Sequence, residues 1–299
     1  MAKSPIEIID INFQNRPLSV ASYMIRHNDG IALIESGPGS ALPGLENGLR
    51  KHGYGFGDIT HVLLTHIHLD HSGAAGELAG YGAKICVHPM GAAHMLNPEK
   101  LINSATRIYG DRMETLWGKF LPVPEENLVI LQDRQELVIG NISILPINTP
   151  GHAEHHYCYK FEDTCFSGDV GAVRIPGYLY LRVPMPPPEL NIEKWRETIN
   201  LLRTFNFKQV APTHFGIYQN VEWHFDEIMR TLDEVEKWLI KWMPLEPAVE
   251  TLKLEFQHWM DEQAATQGLD PKAIVAFQLG NPVAMSVDGM MRYWKKFRQ

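Results

Sequence analysis

The alternation of apolar and polar residues predicts two β-rich halves in the first two thirds of the chain. In the first half, apolar runs typical of strands cover residues 6–13, 21–26, 31–34, 59–64 and 83–87. Asn28-Asp29-Gly30 separates the second and third runs and indicates a hairpin turn. In the second half, strands are predicted at residues 128–131, 136–139, 142–147, 157–161, 164–166 and 209–211.

Helices are predicted between these strands. Their expected positions are residues 40–51, a short segment opening at Ser72, residues 98–120 and residues 191–205. The stretch 170–189 is rich in Gly, Pro and Tyr and is predicted to be a long loop. Each half therefore has strands followed by a helix, which indicates an α/β fold of two sheets packed face to face with helices outside.

From residue 221 onward the pattern is helical, with helices predicted at residues 221–242, 248–266, 271–279 and 286–298. Phe225, Ile228, Leu232 and Val235 keep the spacing of one apolar helix face. We therefore divide the chain into an α/β domain at residues 1–220, which contains the candidate chemistry described below, and a helical C-terminal extension at 221–299. The apolar face is too large to remain in water, so we expect it to be buried on the same chain or in a homodimer.

Composition narrows the classes of partner. The chain has 299 residues, 44% of them hydrophobic and 21% charged, which is typical of a soluble globular protein. Its net charge of -8 disfavours nucleic acid and anionic membranes as partners, so a small-molecule substrate is expected. The sequence lacks both the run of about 18 apolar residues that a membrane span needs and an apolar signal region, so we expect a cytoplasmic protein.

The segment from Thr65 to Gly73 contains four candidate metal ligands directly after a predicted buried strand. His66 and His68 are two residues apart and can face the same way on an extended backbone. Asp70 and His71 come after the chain turns and can point at a second position. One segment, predicted to be a strand-to-helix loop, can therefore serve two metals.

Candidate ligands follow three further predicted strands. They are His152 in Thr149-Pro150-Gly151-His152, Asp169 in Gly168-Asp169, and His214 in Thr213-His214-Phe215-Gly216. Scattered histidines have no reason to recur at strand ends beside Gly or Pro, so we expect these loops to converge at one edge of the sandwich. Imidazoles and carboxylates are ligands that suit zinc, with iron or manganese as alternatives.

The three cysteines, Cys86, Cys158 and Cys165, form no C-x-x-C pair. Because Cys86 and Cys158 lie within predicted strands, we expect both to be small apolar strand residues. A disulfide framework is not expected from this number and spacing.

These four motifs, taken together and in this order, resemble those of the metallo-β-lactamase-fold hydrolase superfamily. The resemblance implies a four-layer αβ/βα sandwich with a dinuclear metal centre. It implies that one metal is held by His66, His68 and His152, that the other is held by Asp70, His71 and His214, and that Asp169 bridges both. A hydroxide between the two metals would be the nucleophile, and Asp70 could also relay a proton.

The chain departs from the family pattern at two places. Glu35 ends the predicted strand 31–34, where the family usually has an Asp that supports the ligands, so its partner is left open. Lactonase-like members commonly have a Tyr soon after the bridging Asp, whereas here Val170, Gly171 and Ala172 follow it. In the same loop, Arg174, Tyr178, Tyr180 and Arg182 do not closely match the basic and tyrosyl thioester-recognition residues of glyoxalase II-like members, and a lactonase is a weaker match still.

The predicted activity is metal-dependent hydrolysis of a thioester or carboxylic ester, broadly glyoxalase II-like. A lactonase or a phosphodiesterase of the same fold is the alternative among enzymes, and a metal-containing binding or sensing protein is the alternative outside them. Arg174, Tyr178, Tyr180 and Arg182, in the loop after Asp169, are the candidate substrate-binding residues. The helical segment before Phe120 is expected to form a wall of the site.

Overall fold

The computed structural model describes residues 5–280 and 282–299. Residues 1–4 lie outside the described residues. They belong to the N-terminal stretch in which the sequence analysis expects no signal segment. The strands are β1 Ile6–Asp10, β2 Ala21–His27, β3 Gly30–Ile34, β4 Ile59–Leu63, β5 Lys84–Val87, β6 Leu128–Ile130, β7 Leu137–Ile139, β8 Ile142–Asn148, β9 Tyr157–Phe161, β10 Thr164–Phe166 and β11 Gln209–Ala211.

The helices follow the same chain order. They are α1 Leu42–Lys51, α2 Leu69–Ser72, α3 Ala75–Gly80, α4 Pro89–Leu96, α5 Glu99–Tyr109, α6 Met113–Trp117, α7 Ile192–Arg203, α8 Val221–Trp242, α9 Val249–Thr266, α10 Pro271–Gly280 and α11 Val283–Phe297. The α/β class and each of the predicted strands are confirmed, with differences of a few residues at the ends.

One helical prediction needs correction, and one helix was missed. The helix predicted over residues 98–120 is interrupted, because Gly110 (φ 54°) and Gly118 (φ 68°) adopt left-handed backbone conformations that end α5 and α6. Helix α4 was not predicted. It begins after His88, whose ring nitrogen accepts a hydrogen bond from the Met90 N–H at 3.1 Å, and His is not a usual residue at that position.

Contacts divide the chain into two compact units, and the first comprises the described residues of Met1–Asn148 together with His155–Phe166. Its larger sheet has the order β1-β2-β3-β4-β5-β6, antiparallel from β1 to β3 and parallel from β3 to β6. A smaller antiparallel sheet has β10, β9, β8 and β7 as successive neighbours. Because β3 and β4 are parallel, their carboxyl ends lie at the same edge of the larger sheet.

Both faces of the larger sheet in the first unit are buried. On one face, strand residues such as Leu33 and Val62 share a core with Leu45 of α1, Leu78 of α3 and Met95 of α4. On the other face, the Tyr23 ring lies 5.1 Å from the ring of Phe166 in β10. The Tyr159 hydroxyl of β9 donates to the Leu64 carbonyl at 2.7 Å. The larger sheet is thus covered by helices on one side and by the smaller sheet on the other.

The second unit comprises Thr149–Glu154 and the described residues of Ser167–Gln299, and it contains α7, β11 and α8 to α11. Val173 and Tyr180, in the loop after Asp169, share an apolar core with Ala264 of α9 and Phe277 of α10. The apolar face of α8 (Phe225, Ile228, Leu232 and Val235) is also buried, so burial on the same chain, one of the two sequence expectations, is observed. The homodimer stays a prediction, and so does a domain boundary at 220/221.

Every helix within residues 5–280 and 282–299 is either too short or too polar to cross a lipid bilayer.

We expect Gly289→Ala to lower the melting temperature, because α11 lies against the loop backbone at this glycine. A Cβ atom added there would lie 2.0 Å from the Met185 carbonyl oxygen, and such overpacking typically costs about 1–3 kcal/mol of unfolding free energy. Gly80→Ala is the matched control, since a Cβ on this helical glycine meets nothing within 4 Å. Equal thermal unfolding of the two variants would contradict this packing.

Candidate metal centre

A fully buried carboxylate, Glu35, contacts the ligand segment in the first unit. Its Oε1 accepts hydrogen bonds from the Thr65 hydroxyl at 2.5 Å and from His71 Nδ1 at 2.9 Å, and its Oε2 accepts from the Thr65 N–H at 3.2 Å. Because His71 Nδ1 donates to a carboxylate, Nε2 carries the lone pair with which an imidazole binds a metal. The sequence left open which residue Glu35 contacts. In the structure it contacts the candidate ligand His71 and Thr65, the first residue of the ligand segment.

The other predicted ligands of the first unit lie around the same point. His66 Nε2 is 2.9 Å from His68 Nδ1, and the rings of His66 and His71 are 3.9 Å apart between centroids. Candidate ligand atoms of Glu35, His66 and His71 all lie within 4.8 Å of one another. Asp70 Oδ2 lies 3.8 Å from His71 Nε2. Such a convergence of imidazoles with carboxylates fits the ligand preference of zinc.

The backbone around His71 explains why small residues flank the ligands. Asp70 and His71 lie in the one-turn helix α2, so the predicted loop is wrong at these two residues; a single turn is too short to give a helical pattern. The N–H groups of Ser36 and Gly37 both donate to the His71 carbonyl, at 2.9 and 3.1 Å. A Cβ on Gly73 would lie 2.9 Å from the Pro38 Cα, so only glycine permits this close approach.

In the second unit, the Asp169 carboxylate lies between two histidines. Its Oδ2 is 3.4 Å from His152 Nε2, and its Oδ1 is 3.5 Å from His214 Nε2. His152 Nδ1 lies 2.9 Å from the Pro184 carbonyl, to which it can only donate, so its Nε2 carries the lone pair. A carboxylate that directs one oxygen toward each of two imidazoles has the geometry that a bridge between two cations requires. The donor set therefore fits a metal site.

Helix α7 supports the loops that carry His152 and Asp169. The Asn191 N–H donates to the Gly151 carbonyl at 2.8 Å, and the Asn191 side chain caps α7 by accepting from the Lys194 N–H at 2.9 Å. The Trp195 indole donates to the Val170 carbonyl at 3.0 Å. The first turn of one helix thus holds backbone beside both candidate ligands.

Of the predicted substrate-binding residues, Arg174 is buried. Its Nη1 donates to Asn220 Oδ1 at 3.0 Å and to His224 Nδ1 at 3.1 Å, and its guanidinium carbon lies 3.7 Å from the centroid of the Tyr218 ring. These contacts occupy the guanidinium within its own chain. Its role toward a substrate stays a prediction.

The other three candidates also contact this chain. Tyr180 is buried with its ring 4.9 Å from that of Phe277, and Tyr178 is half-buried against the same apolar cluster. Arg182 is fully buried, and its Nη2 donates to Asp261 at 3.3 Å. Their substrate contacts likewise stay predictions.

Two histidines near the ligand segment were missed by sequence reasoning. The rings of His155 and His156 lie 6.2 and 5.2 Å from the His66 ring. Both directly precede β9, whose first residue, Tyr157, donates its N–H to the Thr65 carbonyl at 2.7 Å. The sequence offered one signal, namely that both histidines directly precede a predicted strand. It did not show which segment that strand contacts.

Tyr109, at the end of α5, was also missed. Burial and then the negative charge of Asp70 raise the pKa of the Tyr109 hydroxyl, so it is protonated at neutral pH. Its ring lies 5.1 Å from Trp117, which stacks on Phe13 at 5.5 Å. These aromatic side chains are half-buried, and the expectation that the segment before Phe120 forms a wall of the site stays a prediction.

Residues 15–214 match the model of the metallo-beta-lactamase superfamily. A metallo-beta-lactamase fold-containing protein of Sulfurisphaera tokodaii is 26% identical over 163 residues, which are 53% of this chain and 61% of that protein. An atrochrysone carboxyl ACP thioesterase of Aspergillus fumigatus is 22% identical over 166 residues, which are 55% of this chain and 41% of that protein. The matches thus span less than two thirds of these relatives.

Solved structures show the same fold. An archaeal metallo-beta-lactamase superfamily protein from Sulfolobus tokodaii has a TM-score of 0.61 at 21% identity and covers 75% of this chain and 85% of its own. A metallo-beta-lactamase family protein from Thermus thermophilus has a TM-score of 0.65 at 18% identity and covers 99% of this chain and 95% of its own. These likenesses confirm the predicted sandwich.

We expect Glu35→Gln to weaken metal binding by about 10- to 100-fold, as the loss of a partner behind a histidine ligand typically does. The amide removes the charge that fixes the His71 tautomer and presents an N–H₂ group to donors. Chelator competition would measure the dissociation constant. The control is Glu125→Gln, at an exposed position. Equal metal affinity in both variants would count against this role of Glu35.

Proposed function

Because the chain belongs to the metallo-β-lactamase superfamily, we propose that it is a dinuclear-metal hydrolase acting on a thioester or carboxylic ester of a small molecule. The observation that carries this proposal is the Asp169 carboxylate, which directs one oxygen toward His152 and the other toward His214. A structural metal site is usually single and closed, so a carboxylate arranged for two cations favours catalysis over a purely structural use.

The ligand assignment in this proposal is the one that the motif resemblance implies. One divalent ion, zinc by default, would be held by His66, His68 and His152, the other by Asp70, His71 and His214, with Asp169 shared by both. When bound, such ions supply a water molecule of lowered pKa as nucleophile and polarise the carbonyl that is attacked. Iron and manganese remain the alternative metals.

The chain's own carboxylates divide into two roles. Glu35 is fully buried and engaged with Thr65 and His71, so its role is to orient a ligand. The Asp70 side chain is 24% exposed, and its Oδ2 is 3.8 Å from His71 Nε2. Asp70 can therefore exchange a proton with solvent or with a departing group at Oδ2.

The cysteines do not serve as alternative nucleophiles in this proposal. All three are buried, and burial raises the pKa of the Cys86 thiol to about 12, so at neutral pH it is protonated and unreactive. Hydrolysis then depends on the metal ligands and needs no covalent acyl-enzyme.

The surroundings of Asp70 support an apolar or aromatic acyl group in the substrate. Phe13, Tyr109 and Trp117 form a connected aromatic cluster whose Tyr109 end lies near Asp70. Flat rings of this kind bind apolar and aromatic groups, and a protonated tyrosine hydroxyl adds a hydrogen-bond donor. Two thioesterases occur among the relatives, and the net charge of -8 disfavours polyanionic phosphodiesters. The homodimer and the cytoplasmic location stay predictions.

We expect about two transition-metal ions per chain, as in dinuclear hydrolases. Elemental analysis of the purified protein would measure them. A screen of thioesters, p-nitrophenyl esters, lactones and phosphodiesters should give the highest kcat/KM for an acyl thioester or ester. Activity should disappear on metal removal while circular dichroism is unchanged, and it should return with zinc. Hydrolysis that survives complete removal of metal would contradict the proposal, and a preference for lactones or phosphodiesters would replace its substrate class.

We expect Tyr109→Ala to raise KM for aromatic acyl substrates about tenfold, the equivalent of one lost aromatic contact, and to leave metal content unchanged. Tyr109→Phe keeps the ring and isolates the contribution of the hydroxyl. Tyr81→Ala is the control, because Tyr81 is 52% exposed. If Tyr109→Ala and Tyr81→Ala give the same KM, the aromatic cluster does not contact the substrate.

A further inference from the structure

The backbone of Arg174 is paired with the segment that carries His214. The Arg174 N–H donates to the His214 carbonyl, and the Phe215 N–H donates to the Arg174 carbonyl at 3.1 Å. The Tyr218 hydroxyl lies 2.9 Å from the Arg174 carbonyl and 2.6 Å from the Phe215 carbonyl and donates to this pair of acceptors. Any displacement of residue 174 is therefore transmitted to the backbone of a proposed metal ligand.

The Arg174 side chain is held by residues at the start of α8. Asn220 and His224 accept from its Nη1, and the guanidinium lies 3.7 Å from the Tyr218 ring and 4.6 Å from the Trp223 ring. The whole residue is only 4% exposed. A guanidinium with this degree of burial and these partners is suited to hold structure in place, because its fork of donors is fixed by several neighbours at once.

His224 connects this cluster to the turn after Asp169. Arginine can only donate, so His224 Nδ1 accepts from Arg174; Nε2 then carries the proton and donates to the Gly171 carbonyl at 2.7 Å. Burial, opposed by the Gly171 hydrogen bond and assisted by the charge of Arg174, lowers the pKa of His224 to about 3. The ring is therefore neutral and held in one tautomer at physiological pH.

We propose that Arg174 and His224 are positioning residues that hold Asp169 and His214 in place by fixing the backbone at Gly171, two residues after Asp169, and at the His214–Phe215 peptide. This inference rests on the proposed function, because the role assigned to the two residues is to hold the shared carboxylate and one imidazole in the positions that would bind metal. It also gives the helical extension a role in the metal centre, since α8 supplies His224 without supplying a ligand. In this role Arg174 acts on the metal centre through the backbone of His214.

Two substitutions at His224 separate its two hydrogen bonds. In His224→Gln the side-chain nitrogen lies near the position of Nε2 and can still donate to Gly171. In His224→Asn the amide lies near Nδ1, so the bond to Gly171 is lost. Arg174→Lys is a third variant, which keeps the charge and removes the planar fork. His258→Gln is the control, because the His258 side chain on α9 is 70% exposed.

Metal affinity by chelator competition and the visible absorption spectrum of the cobalt-substituted protein are the main measurements. We expect His224→Asn and Arg174→Lys to weaken binding of at least one ion by about 10- to 100-fold and to change the cobalt spectrum, which reports ligand geometry. His224→Gln should lie closer to the unmodified protein, and His258→Gln should be indistinguishable from it. Unchanged affinity and spectrum in His224→Asn and Arg174→Lys would overturn the inference, even if their melting temperatures fall.

Amide hydrogen exchange of the metal-free protein provides an independent readout. The N–H groups of Ala172 and Phe215 should exchange faster in His224→Asn and Arg174→Lys, whereas amides of the first unit should not change. If the unmodified protein binds no metal, the proposed function is refuted. Amide hydrogen exchange would then still decide whether Arg174 and His224 fix this backbone. Unchanged exchange at Ala172 and Phe215 would overturn the positioning role. If His224→Asn does not fold, Arg174→Lys carries the same comparison.

Discussion

The buried carboxylate of Glu35 is the interaction on which the ligand segment of the first unit depends. Removing a charge from water is costly unless donors replace the lost hydration, and Thr65 and His71 together supply three such donors. Glu35 also adopts a φ of 71°, a backbone conformation that glycine would accept more easily. Glycine would bring no carboxylate, so the cost of this conformation is offset by hydrogen bonds that join the ends of two neighbouring parallel strands to α2.

The second unit holds its candidate ligands by a different physical means. Around Asp169, donors from helices bind backbone carbonyls: the Trp195 indole binds the carbonyl of Val170, and the His224 imidazole binds that of Gly171. Side chains that carry no charge of their own thus fix the turn directly after the carboxylate. The first unit fixes a ligand through its side chain, whereas the second fixes ligands through the backbone on which they stand.

Sequence patterns were sufficient to find candidate ligands where suitable residue types directly follow predicted strands. The candidate ligand motifs follow β4, β8, β10 and β11 as predicted, because loops at strand ends are where a rigid scaffold can hold functional side chains. Patterns were insufficient where the outcome depends on a distant partner. Arg174 lies in a loop without periodicity, so only the position of α8 decides that it is buried, and His155 and His156 approach His66 only because β9 contacts Thr65. Helix α4 escaped detection because His88 caps it.

The division of the chain into two units has a consequence for the order in which they can form. The chain leaves the first unit after Asn148, returns after Glu154 and leaves again after Phe166. During synthesis the first unit lacks β9 and β10 until residue 166 has emerged from the ribosome, although a six-residue piece of the other unit has already been made. Contacts between residues so far apart in sequence form slowly and leave apolar edges exposed meanwhile. Neither unit is therefore a continuous stretch of chain that could be excised, or could finish folding, before its later segments have been translated.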